Sequence, residues 1–270
     1  MEKQIQKAVV FHADILGFKS IIQLSENDKQ EETLKTIKGA LEEATKLFEG
    51  FRPLEEAASK TTFRFKLFSD NLYASFSYDE NDPVSFGQAF GFAVLFARSY
   101  YSLMLDNKLP IRGALSFGSD YSDENMIFSY ALVKAYLLET EKAKFPRVII
   151  DNELFDKARN GLTIGGGSFT LKLLNDSFLQ DEGGIFFLNP SGMAKVFGIK
   201  EPGYSSEHLY KGFLQRDIDF AKGCLAKMEK ENNLKDAEKY KWLTAILTWH
   251  YFDRKVPCGY KFTVTEFGQH

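Results

Sequence analysis

Apolar positions change period several times along the chain, and each change predicts an element. The run KAVVFHADI predicts a strand over residues 7–15. Between 18 and 50 the apolar residues recur at helical spacing, with Gly50 near the end of the helix they predict. TTFRFKLF and NLYASFSY read as two strands separated only by Ser69-Asp70. That is a tight hairpin with an acid at its tip, although Ser-Asp is not the favoured turn pair. Asp82-Pro83 opens a predicted helix over 83–106 that places Phe86, Phe90, Val94 and Leu95 on one face. LPIRGALSFG predicts a further strand, SDYSDEN a polar loop, and SYALVKAYLLETEKA a third helix with Ser129 as N-cap. PRVIID is another strand. Residues 160–200 read as short strands and turns, and amphipathic helices over 205–232 and 235–253 close the chain.

The order β-α-β-β-α-β predicts an α+β, ferredoxin-like sheet with two helices on one face, extended by the helix and strand that follow. A catalytic unit over 1–200 with a helical extension over 201–270 is the expected division. GGG at 165–167 lacks the Lys-Ser or Lys-Thr of a phosphate loop and is read as a hairpin turn.

Composition narrows the partners. The 270 residues are 44% hydrophobic and 26% charged, with 26 Phe, as expected of a well-filled core and an apolar interface. A net charge of −3 gives no basic footprint for a nucleic acid polymer. Cys224 and Cys258 have no His at ligand spacing and predict reduced thiols rather than a zinc site. The N-terminus MEKQIQKAVV is too short and charged for a signal peptide, and the longest apolar stretch is interrupted by Arg98. A cytoplasmic protein without a membrane span is expected.

The candidate chemistry lies at two acids. Asp14 ends the first strand and Asp70 sits at the hairpin tip. Each alone reads equally well as a helix cap or a solvated turn residue. In a ferredoxin-like sheet, however, the first strand neighbours the hairpin, so the two carboxylates meet. Such a pair repels unless a divalent cation lies between them. Hard oxygen ligands, with the carbonyl of Ile15 as a third, suit Mg²⁺ or Mn²⁺. Two carboxylate-bridged ions are a recurring device for phosphoryl transfer.

FHADILGF resembles the F-x-D-I-x-G-F strand of class III nucleotidyl cyclases, and Lys66-Leu-Phe-Ser-Asp70 their hairpin K-x-x-G-D, with Ser69 in place of Gly. The resemblance implies that Asp14 and Asp70 bind two catalytic ions and that Lys66 reads the base. It also implies a homodimer with active sites at the subunit interface. The N-x-x-x-R of the purine enzymes is missing, since Val133 and Leu137 fill those places if Glu139 matches the acid that follows. IRGALSFG, ALVKAYLLE, FPRVIID and KYKWL are instead similar to the anti-phage Pycsar cyclases, which make cyclic UMP or cyclic CMP for a separate effector protein.

Under that resemblance the ribose 3′-hydroxyl attacks the α-phosphate of a nucleoside triphosphate and pyrophosphate leaves. Backbone N–H groups of Leu16, Gly17, Phe18 and Lys19 are placed to cradle the β- and γ-phosphates. Arg112, Lys134 and Lys19, then Arg147, are candidate cations for the leaving group, and each reads equally well as a surface charge. Lys66, and Arg64 on the same strand face, carry only donors and favour uracil over cytosine. Phe65 and Phe68 read as core or turn residues. Three alternatives stay open: a cytidylate cyclase, a purine cyclase, and a silent nucleotide-binding homologue.

Overall fold

In a computed structural model, which describes residues 4–25, 30–57, 61–165, 174, 177–190, 206–252 and 259–265, strand alternation sets the layers. Strand β1 (Gln6–Ile15) turns Val9, Phe11, Ala13 and Ile15 to one face and Ala8 and Val10 to the other. It runs antiparallel between β3 (Asn71–Tyr78) and β4 (Ile111–Ser122), with β2 (Phe63–Phe68) outside β3. This β2-β3-β1-β4 order is the expected ferredoxin-like sheet. Beyond β4 the sheet continues through β6 (Val148–Ile150), β8 (Phe186–Leu188), β7 (Phe178–Asp181) and β9 (Phe262–Thr265), while β5 (Ile127–Ser129) pairs with the far end of β4.

Helices α1 (Phe18–Ser25), α2 (Gln30–Glu49) and α3 (Arg52–Ala57) follow β1. Helix α4 (Pro83–Asp106) begins where Asp82 accepts the N–H groups of Val84 and Ser85, with Pro83 in the first turn. Phe96 of α4 is the centre of the main core. Its ring lies 5.5 Å from both Phe48 and Phe51, and 6.3 Å from Phe11. Phe65 stacks on Phe48 at 4.6 Å and is a core residue, whereas Phe68 is exposed.

Helix α5 (Tyr130–Lys142) lies on the opposite face, where Ala131 packs with Ala8, Val10 and Tyr73. Ser129 caps it by accepting the Leu132 N–H at 3.0 Å, as predicted. On the main-core face, close approach of β4 to β1 requires Gly113, because a Cβ there would lie 2.6 Å from the His12 carbonyl and 3.1 Å from the side chains of Ala13 and Phe11. Helix α6 (Asn152–Gly165) follows β6, and α7 (Ser206–Lys230) and α8 (Leu234–Tyr251) pack together in the C-terminal part.

Three features differ from the expectation. Of SDYSDEN only Asp123, Glu124 and Asn125 form a loop: β4 runs to Ser122 and the chain returns as β5. The reason is Asp120, fully buried, which accepts from the hydroxyls of Tyr73 (2.9 Å) and Ser75 (2.6 Å) and so ties a polar strand end to the sheet. Residues 152–165 are helical, and β9 follows the two C-terminal helices. The GGG stretch lies outside the described residues beyond Gly165, as does Cys258.

Candidate active site

The ladder brings the two strand-end acids together. Asp14 stands opposite Asn71 on one side and Arg112 on the other. The N–H of Ile15 donates to the Asp70 carbonyl at 3.2 Å, which ties the hairpin tip to the end of β1. Ser69 holds φ at 58° as the first turn residue, a conformation that Gly adopts more readily. Asn71 Nδ2 donates to Asp70 Oδ1 at 3.0 Å. Both acids also reach the same neighbours: burial first, then Asp14 and Asp70, push the Tyr100 hydroxyl up.

Arg112 sits between two carboxylates. Its Nη2 donates to Asp14 Oδ2 and lies 2.9 Å from Glu139 Oε1, the same length as the first contact. Glu139 is nearly fully buried, and burial followed by the charge of Asp14 raises its pKa. Sequence reading gave Glu139 no role. Its signal was the spacing Ala131, Ala135, Glu139, which puts an acid on the stripe of α5 that faces the sheet.

The other predicted residues take different places. Lys66 donates to the backbone carbonyl of Asp123 and, at 3.4 Å, to that of Glu124. Arg64 donates to Gln6 Oε1 at 3.1 Å and lies 3.6 Å from Asp120. Both therefore share the face expected of them, but they hold the β4–β5 arm. Lys134 reaches Asp151 and Glu153, each at 2.6 Å, and stands over the Phe117 ring. Five positions separate it from Glu139, which is about 140° around the helix, so it faces away from Asp14. Arg147 is buried against Asp181 at 2.7 Å and belongs to a core. The N–H of Leu16 donates to the Pro110 carbonyl at 2.8 Å, which leaves Gly17, Phe18 and Lys19 for the phosphate expectation. Gly17, at φ 76°, makes the turn from β1 into α1.

Beside Asp14, on the α5 face, is an apolar groove of about 460 Å³ lined by His12, Phe68, Asn71, Tyr73, Val133 and Tyr136, among others. Val133 and Tyr136 are half exposed there. His12 is 5% exposed, and burial lowers its pKa below the ordinary imidazole value.

The residues fit a divalent cation in one respect and are incomplete in another. Asp14 Oδ1 is buried and finds no hydrogen-bond partner among the described residues, so it is an uncommitted hard ligand. No group of three or more His, Cys, Asp or Glu that would hold a metal is found among the described residues. That count suits ions that take one or two carboxylates and complete their shell from substrate phosphates. No described helix is long and apolar enough to cross a membrane.

Comparison with known proteins gives likenesses of modest extent. No family model matches the chain. Over 60 residues it is 30% identical to "Putative phage-related protein YobO" of Bacillus subtilis (strain 168), a stretch covering 22% of this chain and 7% of that protein. Similar solved structures include the adenylyl cyclase CyaB from P. aeruginosa, at 18% identity and TM-score 0.43, covering 70% of this chain and 96% of that one. A class III adenylyl cyclase-like ATP-binding protein from Pseudomonas aeruginosa is 10% identical with TM-score 0.45, covering 63% and 39%. A bacterial light-regulated adenylyl cyclase is 13% identical with TM-score 0.44, covering 80% and 59%. Identities this low carry no information about substrate.

Proposed function

We propose that this chain is a metal-dependent nucleotidyl cyclase acting on a pyrimidine nucleoside triphosphate, UTP before CTP. The observation that carries the reading is the junction of two acids 56 positions apart in sequence (14 and 70), with a buried, uncommitted oxygen on Asp14. In the reaction the ribose 3′ oxygen bonds to the α-phosphorus and the bond from that phosphorus to the bridging oxygen breaks. Pyrophosphate leaves, and the hydroxyl proton passes to solvent.

Two divalent cations, Mn²⁺ or Mg²⁺, supply acidification of the hydroxyl and neutralisation of the triphosphate when bound. Asp14 and Asp70 hold them, with the Ile15 carbonyl as a further oxygen. Gly17, Phe18 and Lys19 offer N–H groups at the start of α1 to the β- and γ-phosphates. Arg112 is the cation for the leaving group, because it already stands beside Asp14 and Glu139 restrains it. Lys134 serves this role less well, since it faces away from Asp14 and is held by Asp151 and Glu153.

The same proposal includes a homodimer formed through the exposed apolar corner of Phe128, Tyr130, Val133 and Leu137, and a product read by a separate effector in phage defence. Incubation of the purified protein with each of the four nucleoside triphosphates and Mn²⁺, followed by chromatography, tests it. Cyclic UMP and pyrophosphate are the expected products. Cyclic CMP as the main product moves the reading to a cytidylate cyclase, cyclic AMP or GMP to a purine cyclase. No cyclic product from any nucleotide leaves a silent nucleotide-binding fold.

A further inference from the structure

Two strongly buried titratable side chains line the groove: the Tyr73 hydroxyl is spent on Asp120, while the two ring nitrogens of His12 have separate duties. Nδ1 lies 3.2 Å from the Leu72 carbonyl, which only accepts, so Nδ1 carries the proton and donates. Nε2 is therefore a bare acceptor in the neutral ring. It is buried and finds no hydrogen-bond partner among the described residues. A buried acceptor without a donor is unfavourable unless another state of the protein satisfies it.

Position gives that state a ligand. His12 and Asp14 share the α5 face of β1, two residues or about 7 Å apart along the strand. His12 stands opposite Tyr73, and Tyr73 opposite Lys66. The groove is lined by aromatic and apolar side chains, with half-exposed Tyr136 over His12 at 5.8 Å between ring centroids. A flat ring that enters when Tyr136 turns aside stacks among these side chains and meets Nε2 edge-on.

We infer that His12 is a specificity-determining residue of the nucleotide site, whose Nε2 accepts the N3–H of a uracil ring held in this groove. The inference rests on the cyclase reading given above and names the contact that selects its base. Uracil N3 carries a hydrogen and cytosine N3 does not, so the acceptor matches one pyrimidine at that ring position and opposes the lone pair of the other.

The test is equilibrium binding by calorimetry in Mn²⁺, using 3′-deoxy-UTP and its N3-methyl derivative, neither of which cyclises. The wild-type chain is expected to bind the methylated nucleotide about tenfold more weakly, the scale of one lost hydrogen bond to a buried group. His12→Ala, which also makes room for the methyl group, should bind the two within about twofold of each other. His12→Gln keeps an acceptor oxygen and should retain a preference of about threefold, a second reading should the Ala variant fail to fold. Equal binding of both nucleotides by the wild-type chain overturns the inference, as does tighter binding of 3′-deoxy-CTP. If such a chain still converts UTP to cyclic UMP, His12 is dismissed and the cyclase reading stands. If it neither binds a nucleotide nor forms a product, both fall.

Discussion

Arg112 and Arg147 each meet an aspartate at almost the same distance, 2.9 and 2.7 Å, yet their surroundings differ at every other contact. Arg147 is 3% exposed, and its guanidinium is boxed by the rings of Phe145, Phe187 and Trp242 at 5.5, 5.2 and 5.9 Å. Ring faces, the Asp181 carboxylate and the Lys142 carbonyl surround it, with Nε lacking a hydrogen-bond partner among the described residues, so it serves as a wall between β6, β8 and α8. Arg112 is a quarter exposed, shared by two carboxylates, and next to an oxygen that nothing among the described residues satisfies. What separates the two pairs is the carboxylate: Asp14 keeps an oxygen uncommitted among the described residues, whereas Asp181 accepts from both Arg147 and the Ile185 N–H.

The sharpest way to break that contrast is to remove the acids. Asp14→Asn and Asp70→Ala are expected to lower turnover by about a thousandfold or more, the several kcal/mol that metal-held charge supplies. Their melting temperatures should stay within about 2 °C of wild type, since neither side chain fills core volume. Residual cyclisation above a few per cent would detach these acids from the chemistry.

Next in size is Arg147→Ala. It leaves Asp181 without its cation and opens a hole among three rings, a loss of about 3–5 kcal/mol. Calorimetry should show a melting temperature lower by roughly 10 °C, with turnover per folded molecule unchanged. Arg112→Gln should weigh the other way: turnover falls by about a hundredfold, while melting falls less than in Arg147→Ala, because Gln keeps an N–H donor for Asp14 and Glu139 and opens no hole among rings. The matched variant Lys134→Gln should keep turnover within about twofold, as expected of a cation that faces away from Asp14. Equal losses from Arg112→Gln and Lys134→Gln would erase the distinction drawn between them.

The smallest effect lies far from the site. Burial, with Asp106 nearby and Arg216 opposing, pushes the Asp217 carboxyl up to about 7, from an ordinary value of about 3.9. Between those values the unfolded chain releases this proton first, so stability falls as pH rises through the window. Asp217→Asn should flatten that fall, and melting curves from about pH 4 to pH 8 should show a gain that is near zero at the acid end, grows with pH and levels off above about 7. A gain at the acid end equal to that at the alkaline end would mean that packing, not charge, is responsible.

Much of this was legible in the sequence, for reasons that differ by element. Residues 7–15 and 71–78 form strands and 83–106 a helix because their apolar period is unbroken and Asp82-Pro83 marks a start. Asp14 and Asp70 could be paired once the order of elements was known, because that order dictates the neighbour of the first strand. The β4–β5 arm was not legible, since Ser119, Asp120 and Ser122 are polar and it takes the hydroxyls of Tyr73 and Ser75, with Arg64 at 3.6 Å, to make burying Asp120 possible. For the same reason the true partners of Lys66, Arg64 and Lys134 stayed hidden. Each is fixed by a segment far along the chain, and charge alone does not say which. His12 was passed over as an apolar-strand residue, because its uncommitted nitrogen exists only in three dimensions.

The central claim, that Asp14 and Asp70 together hold the ions of a nucleotide site, is tested most directly by counting bound Mn²⁺. Equilibrium dialysis in the presence of 3′-deoxy-UTP should find two ions per chain in the wild type. Asp14→Asn and Asp70→Ala should each lose both, with the folded state retained by circular dichroism. Two ions bound equally by wild type and both variants, or none bound by the wild type, would contradict it.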